Sequence, residues 1–198
     1  LPTLTRLAVP GIIGSMLQMA LIVVEAIFLS RAGTLALAAV ATVFPLIMLG
    51  HMLSAGAIGG ATSGAVARAL GANDLMRAQS ILRSAILIAL VGGAVMGTLV
   101  TAFGPIFFYW VGARDDVLMA ANEYARIVFF GMPLVWLFNM LCSVLRGAGA
   151  MTRAALATAS VVIVYSFLGV WLIPGGVAFT GVNDTMSAAA YVLLIAYG

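Results

Sequence analysis

The sequence predicts an all-α polytopic membrane protein, folded as a bundle of six transmembrane helices. Hydrophobic residues occupy 64% of its 198 positions and charged residues only 8%, whereas roughly a quarter of the residues in a soluble domain are charged. Because a helix needs about 20 apolar residues to cross a bilayer, the chain has room for about six crossings. A β-barrel is not expected, since its strands would alternate polar and apolar residues over about ten positions.

Long apolar segments separated by short polar connections define the six expected spans. They cover residues 7–29, 35–59, 84–109, 127–145, 154–173 and, incomplete, 187–198. Pro45 predicts a kink in the second span. We therefore expect residues 1–198 to form a single six-helix lobe. Because the chain begins without Met and ends inside an apolar segment, we also expect it to be a piece of a longer protein.

The basic residues indicate the orientation of these spans. All nine are arginines, against six acidic residues, and they flank the apolar segments without forming a patch. This distribution is typical of topology signals and does not favour nucleic-acid binding. By the positive-inside rule the N-terminus is cytoplasmic, because six arginines fall on its side and three on the other. The first set is Arg6, Arg68, Arg77, Arg83, Arg146 and Arg153; the second is Arg31, Arg114 and Arg126.

Glu25 is the principal candidate functional residue, because it is an acid inside the first span. Placing a charged side chain in hydrocarbon costs about 3 kcal/mol on insertion scales, so such groups usually face a protein interior or a water-filled path. Gln18 precedes Glu25 by seven residues and therefore shares its helix face. The pair predicts a proton or cation site. In the alternative interpretation, Gln18 bonds to a neighbouring helix and Glu25 lies near the interface beside Arg31.

Three further polar residues inside the spans are candidates for the substrate or ion cavity. His51 can relay protons, or it can be a neutral histidine bonded to an adjacent helix. Asn139 can contact a ligand, or it can join two helices. Tyr165 lies in the middle of the fifth span. Cys142 is the single cysteine, so it predicts neither an intrachain disulfide nor a metal cluster.

Other motifs have structural interpretations. Asn73 or Asp74 is placed to cap the third span, and the pair Asp115 and Asp116 is expected at a helix N-terminus, where anions are favoured. A glycine-rich run follows His51 without the Lys and Ser or Thr of a phosphate-binding loop, so it predicts close helix packing. Its members are Gly56, Gly59, Gly60 and Gly64.

Four stretches together resemble the amino-terminal half of a multidrug and toxic compound extrusion (MATE) transporter. They run in order and at the family's spacing over almost the whole chain. They are LAVPGIIGSMLQMALIVVEAIFLSRAG followed by LALAAVA, then GAVARALGANDLMRAQSILRSAI, EYARIVFFGMPLVWLF and LRGAGAMTRAALATASVV.

The resemblance implies a twelve-helix fold of two six-helix lobes around a central cavity that opens alternately to either side. It implies export driven by inward proton or sodium flow. The family's first-helix acid, usually Asp, falls on Glu25. Two departures concern the amino lobe: Tyr165 and Gly169 stand where the family commonly has Asn, and Arg68 stands where Gln is usual. The second lobe is either missing from this chain or replaced by a second copy.

These observations predict a cation-coupled efflux transporter for amphipathic or cationic organic compounds, in the bilayer of the bacterial inner membrane. The expected partners are a small organic substrate and the second lobe or second copy, with no nucleic acid. No cofactor is expected beyond the coupling ion, H⁺ or Na⁺. The alternatives are a lipid-linked oligosaccharide flippase and a non-transporting membrane assembly subunit. Flippases of this kind tend to need basic residues in the cavity, and no arginine is expected within a span.

An enzyme is not expected. The chain has one His and one Cys, and it has no Ser–His or His–Glu arrangement at helical spacing.

Overall fold

The computed structural model describes residues 2–31, 33–172 and 182–197, and these ranges are helical apart from short turns. This confirms the predicted all-α class. The helices are α1 (Pro2–Arg31), α2 (Thr34–His51), a π-helical segment (Met52–Ile58), α3 (Gly59–Gly71), α4 (Leu75–Val111), α5 (Asp115–Phe130), α6 (Met132–Gly147), α7 (Met151–Leu172) and α8 (Val182–Tyr197).

Several of these helices are long and apolar enough to cross a membrane. In the described residues they are Thr34–Gly71, which joins α2, the π-helical segment and α3, then α4, and Met151–Gly169 of α7. The bent pair α5 and α6 makes a fourth span when it is counted as one. Shorter apolar stretches lie at Gly11–Val24 and Ala188–Tyr197. The polytopic architecture agrees with the sequence, while the count of six spans stays a prediction.

Residues 60–83 lie between the predicted second and third spans, but only a short connection separates α3 from α4. Helix α3 runs to Gly71 and α4 begins at Leu75. Asp74 caps α4, because its Oδ1 accepts a hydrogen bond of 2.9 Å from the backbone N–H of Arg77. The predicted cap is therefore confirmed for Asp74.

The adjacent acids at the start of α5 behave only partly as expected. Asp115 and Asp116 lie in its first turn, where the partial positive charge of the helix favours them. The N-cap residue is Arg114, and no side chain bonds to the exposed backbone N–H groups there. The two acids therefore act through charge alone and not as a hydrogen-bonding cap.

The chain bends by 48° between α5 and α6, inside the predicted span at residues 127–145. The break lies at Gly131, and Pro133 follows in the first turn of α6. Proline has no backbone N–H and its ring crowds the carbonyl of the residue four positions earlier, which is here Phe129. An uninterrupted helix through this point would therefore lose a hydrogen bond and clash.

A stripe of small residues on α4 packs against this bend. Buried positions recur every four residues at Ala85, Ala89, Gly93 and Gly97, which places them on one helix face. A Cβ atom added at Gly93 would lie 2.6 Å from Pro133 Cα, and one added at Gly97 would overlap the carbonyl oxygen of the α5 terminus. The backbones of α4 and the α5–α6 bend are therefore in direct contact.

The irregularity in the second span lies beyond Pro45, where the sequence predicts the kink. Helix α2 continues past Pro45 to His51, and the wider π-helical turns follow. The predicted glycine packing face is correct for Gly59, where an added Cβ would lie 2.6 Å from Ser143 Oγ. At Gly56 and Gly60 an added Cβ would meet nothing within 4 Å, so no described residue packs closely on either glycine.

The contact of α4 with the bend predicts an inverted response to alanine substitution. In a helix, Gly→Ala ordinarily stabilises by about 1 kcal/mol. Gly93→Ala is expected instead to lower the free energy of unfolding by about 1–3 kcal/mol, because the added methyl overpacks the contact with Pro133. Thermal unfolding of the full-length protein in detergent measures the change.

Gly60→Ala is the matched control, since its methyl enters open space on α3. We expect this variant to melt at the wild-type temperature or above it. Equal effects at the two positions would show that the contact at Gly93 does not constrain the fold.

Candidate functional site

A large apolar cavity lies between α1, α2, the π-helical segment, α5, α6 and α8. Its volume is about 350 Å³, which is within the range of small-molecule sites. Four methionines line it, and we call it the methionine cavity. Its lining residues are Ser15, Met19, Leu21, Ile22, Val40, Phe44, Ile47, Met48, His51, Met52, Val128, Met132, Val135, Leu193 and Tyr197.

The chemistry of the methionine cavity suits ligands of varied shape. Methionine side chains are flexible and polarisable, so they repack around different apolar partners. Phe44 and Tyr197 add aromatic surface, and Ser15 and His51 add polar groups. Met19 and Met52 are 70% and 71% exposed. The wall of the cavity that these two methionines form is therefore not covered by any other described part of the chain.

A polar cluster lies behind the cavity, where α6 meets the π-helical segment. The side-chain nitrogen of Asn139, Nδ2, donates a hydrogen bond of 2.9 Å to Ser54 Oγ. The same nitrogen lies 3.5 Å from His51 Nδ1, which accepts when the ring proton is on Nε2. Ser54 and Asn139 are 0% and 3% exposed. These bonds satisfy polar groups that would be costly to bury alone.

The cluster continues along α6 toward the end of that helix. Ser143 Oγ donates to the backbone carbonyl of Asn139 at 2.7 Å. Arg146 Nη2 in turn donates to Ser143 Oγ at 2.7 Å. Because Asn139, Ser143 and Arg146 follow one another at intervals of four and three residues, they share one face of α6.

A second, smaller cavity of about 70 Å³ lies between α1, α6 and α7. Arg146 is the charged residue in its lining, and we call it the arginine cavity. Ser15 lines both cavities, so the two adjoin at that residue of α1. The lining residues are Gly11, Gly14, Ser15, Phe138, Asn139, Cys142, Arg146, Met151, Ala154, Ala155 and Thr158.

The structure brings together two of the predicted site residues and separates a third. His51 and Asn139 lie in hydrogen-bonding range of each other although 88 positions apart. Tyr165 is fully buried in the helix core and lines neither cavity among the described residues. Gln18 and Glu25 belong to α1, but the structure does not describe their side chains.

The sequence does not predict a site role for three residues of the polar cluster, namely Ser54, Ser143 and Arg146. Arg146 lies near the end of α6, just beyond the predicted span at residues 127–145, and lines a cavity between helices. A signal was present: Asn139, Ser143 and Arg146 recur at helical spacing on one face. Ser54 carries no comparable signal, because its partner lies on a distant helix.

Comparison with known proteins gives one family. The family model described as MatE matches residues 10–172. The chain is 26% identical over 172 residues to a protein of Shewanella oneidensis named FAD transporter, covering 87% of this chain and 38% of that protein. It is 29% identical over 117 residues to the probable multidrug resistance protein YoeA of Bacillus subtilis, covering 59% of this chain and 25% of that protein.

A solved structure supports the same relationship. It is described as the outward-facing conformation of a multidrug resistance MATE family transporter of the MOP superfamily. The TM-score is 0.85 at 27% sequence identity, and the alignment covers 98% of this chain and 43% of that one. The chain thus matches between 25% and 43% of the length of these three relatives.

The hydrogen bond between Asn139 and Ser54 predicts an energetic coupling between α6 and the π-helical segment. In a double-mutant cycle of Asn139→Ala and Ser54→Ala, we expect a coupling free energy of about 0.5–2 kcal/mol. Unfolding of the full-length protein in mixed micelles, for the two single variants and the double variant, measures it. Ser160→Ala replaces Ser54→Ala in the control cycle, because Ser160 is exposed and bonds only within α7. Additive losses in the first cycle would contradict the assignment.

Proposed function

Because the chain belongs to the MatE family of membrane transporters, we propose that the full-length protein exports amphipathic or cationic organic compounds by cation-coupled alternating access. The observation that carries this proposal is the methionine cavity. It offers about 350 Å³ of deformable apolar surface with few polar groups. Such a surface binds large organic molecules through burial of apolar area and sets weak demands on their hydrogen-bonding pattern.

Glu25 is the proposed coupling residue, with H⁺ or Na⁺ as the coupling ion. Leu21 and Ile22 of α1 line the methionine cavity, and Glu25 follows them by four and three residues. That helical spacing predicts that Glu25 continues the cavity-facing side of α1 by one more turn. A carboxylate beside an apolar cavity binds a cation strongly, because the low local dielectric weakens screening. Binding and release of the ion would then favour different conformations of the lobe.

The open wall of the methionine cavity supports a second proposed partner. Relatives are more than twice as long as this chain, and Met19 and Met52 are exposed at that wall. We propose that a second lobe, or a second copy of this chain, covers it in the membrane. The arginine distribution supports a cytoplasmic N-terminus, and a bacterial inner membrane is the proposed location.

The first prediction of this proposal concerns Glu25. In proteoliposomes of the full-length protein, Glu25→Gln is expected to abolish gradient-driven efflux of a cationic dye, because the amide cannot exchange a proton or neutralise Na⁺. Glu25→Asp keeps the carboxylate and should retain most of the transport. Efflux is measured under a proton gradient and a sodium gradient applied separately, and the gradient that supports transport identifies the ion.

Glu123→Gln serves as the control, since Glu123 is an exposed acid on α5. It should transport as the wild type does. Undiminished efflux by Glu25→Gln, under either gradient, would refute Glu25 as the coupling residue.

The second prediction concerns the methionine cavity. Met48→Trp should reduce efflux of a bulky substrate and raise its KM about tenfold, because a loss of about 1.4 kcal/mol of binding follows from filling part of the site. Leu49→Trp makes a similar change in bulk at the next residue, which is exposed and lines no described cavity. Initial efflux rates over a range of dye concentrations compare the two variants. Equal kinetics would place the substrate elsewhere.

A further inference from the structure

Arg146 is a half-buried cation without an acidic partner in the described part of the chain. The guanidinium has one described hydrogen bond, which it donates to Ser143. A guanidinium carries five N–H donors and no acceptor. Burying such a group is costly unless an anion or several acceptors compensate it. The described residues around the arginine cavity supply hydroxyl, amide and thiol groups but no carboxylate.

The position of Arg146 near the end of α6 does not account for this arrangement. Cations are favoured at helix C-termini because they interact with the last carbonyl groups. Here the side chain extends the other way, toward Ser143 one turn back along α6. It reaches the space between α1, α6 and α7, where Gly11 and Gly14 provide walls without side chains. A Cβ added at Gly11 would meet nothing within 4 Å, so this side of the cavity is open.

The dimensions and groups of the arginine cavity fit one small oxyanion. Its volume of about 70 Å³ holds several atoms, since one water needs about 10–15 Å³ measured in this way. The guanidinium presents a planar set of donors that matches two oxygens of a phosphate or carboxylate. Thr158 and Ser15 add hydroxyl groups to the lining. Ser15 also lines the methionine cavity, so the two cavities share one lining residue of α1.

We propose that the arginine cavity is an oxyanion site, which takes the phosphate or carboxylate group of an amphipathic substrate whose apolar part lies in the methionine cavity. As a statement about substrates it rests on the proposed transport function. It extends the substrate class to acidic amphipathic compounds. The binding of an oxyanion at Arg146 is a property of the cavity alone and is testable without transport.

Cys142 provides a reporter inside the arginine cavity, because it lines this cavity and is the single cysteine of the chain. The test compares the rates at which a negatively charged and a positively charged methanethiosulfonate modify it in the full-length protein. The reagents are the sulfonatoethyl and the trimethylammonioethyl compounds. The ratio of the two rates cancels any change in the thiolate fraction. Labelling of a Cys142→Ser variant is subtracted as background from cysteines elsewhere in the protein.

We expect Arg146→Gln to lower the anionic-to-cationic rate ratio at least about tenfold, because one unit charge within a few ångströms acts strongly where screening is weak. Arg146→Lys retains the charge and should restore most of the ratio. Arg153→Gln is the matched control, since Arg153 is an exposed arginine at the start of α7 that lines no described cavity. Its ratio should equal that of the wild type.

Competition by ligands identifies the occupant. Inorganic phosphate should slow modification of wild-type Cys142 about threefold at about twice its Kd, while chloride at equal ionic strength should not. This arm needs no variant and remains decisive if Arg146→Gln does not fold. An amphipathic phosphate monoester, 4-methylumbelliferyl phosphate, should protect better than phosphate, and its parent 4-methylumbelliferone should not protect in vesicles of phosphatidylcholine alone.

Four results would overturn the proposal. The first is an unchanged rate ratio in folded Arg146→Gln. The second is the absence of protection by phosphate, and the third is the absence of any reaction of Cys142 with either reagent. The fourth is protection that appears only when phosphatidylglycerol is added to the vesicles, which would assign the site to a lipid headgroup. Glu25→Gln should keep the rate ratio of the wild type, so loss of ion-coupled transport and loss of the oxyanion site are distinguishable.

Discussion

The hydrogen bond from Asn139 to Ser54 is the interaction on which the arrangement of both cavities depends. In hydrocarbon each unsatisfied polar group costs several kcal/mol, so a polar side chain inside a span must find a partner on its own or a neighbouring helix. Asn139 donates a hydrogen bond across the helix interface to Ser54 Oγ. Ser54 Oγ in turn donates to the backbone carbonyl of His51 at 3.2 Å. The π-helical segment is thereby fixed against α6, with the methionine cavity on one side and the arginine cavity on the other.

Close backbone contact supplies the second constraint. Gly59 brings the start of α3 against Ser143, and Gly93 and Gly97 bring α4 against the α5–α6 bend. Helix association in a membrane gains little from apolar burial, because lipid is as apolar as the side chains, so packing depends on small residues that allow near approach. The bend directs Met132 and Val135 toward the methionine cavity. A straight helix through Gly131 would aim that face elsewhere.

How much of this was predictable differs between features for physical reasons. Apolar length and arginine placement predict helices and their connections, because both follow from the cost of charge in hydrocarbon. The break at Gly131 and the π-helical segment were not predicted, since Pro133 and Pro45 have the same local signal and only tertiary packing decides which helix breaks. Asn139 and His51 were identified singly, but their pairing across 88 positions is a property of the fold. Glu25 stays a prediction.

The two cavities share α1, and this sharing bears on the proposed coupling of an ion to a substrate. Ser15 contacts both cavities, Leu21 and Ile22 contact the larger one, and Glu25 follows within one turn. Among the described residues, helix α1 packs chiefly on α7, where a Cβ added at Gly14 would lie 3.8 Å from Ala155. If α1 shifts against its neighbours, the walls of both cavities change together, and ligands of the two proposed sites would then alter each other's affinity by the same factor.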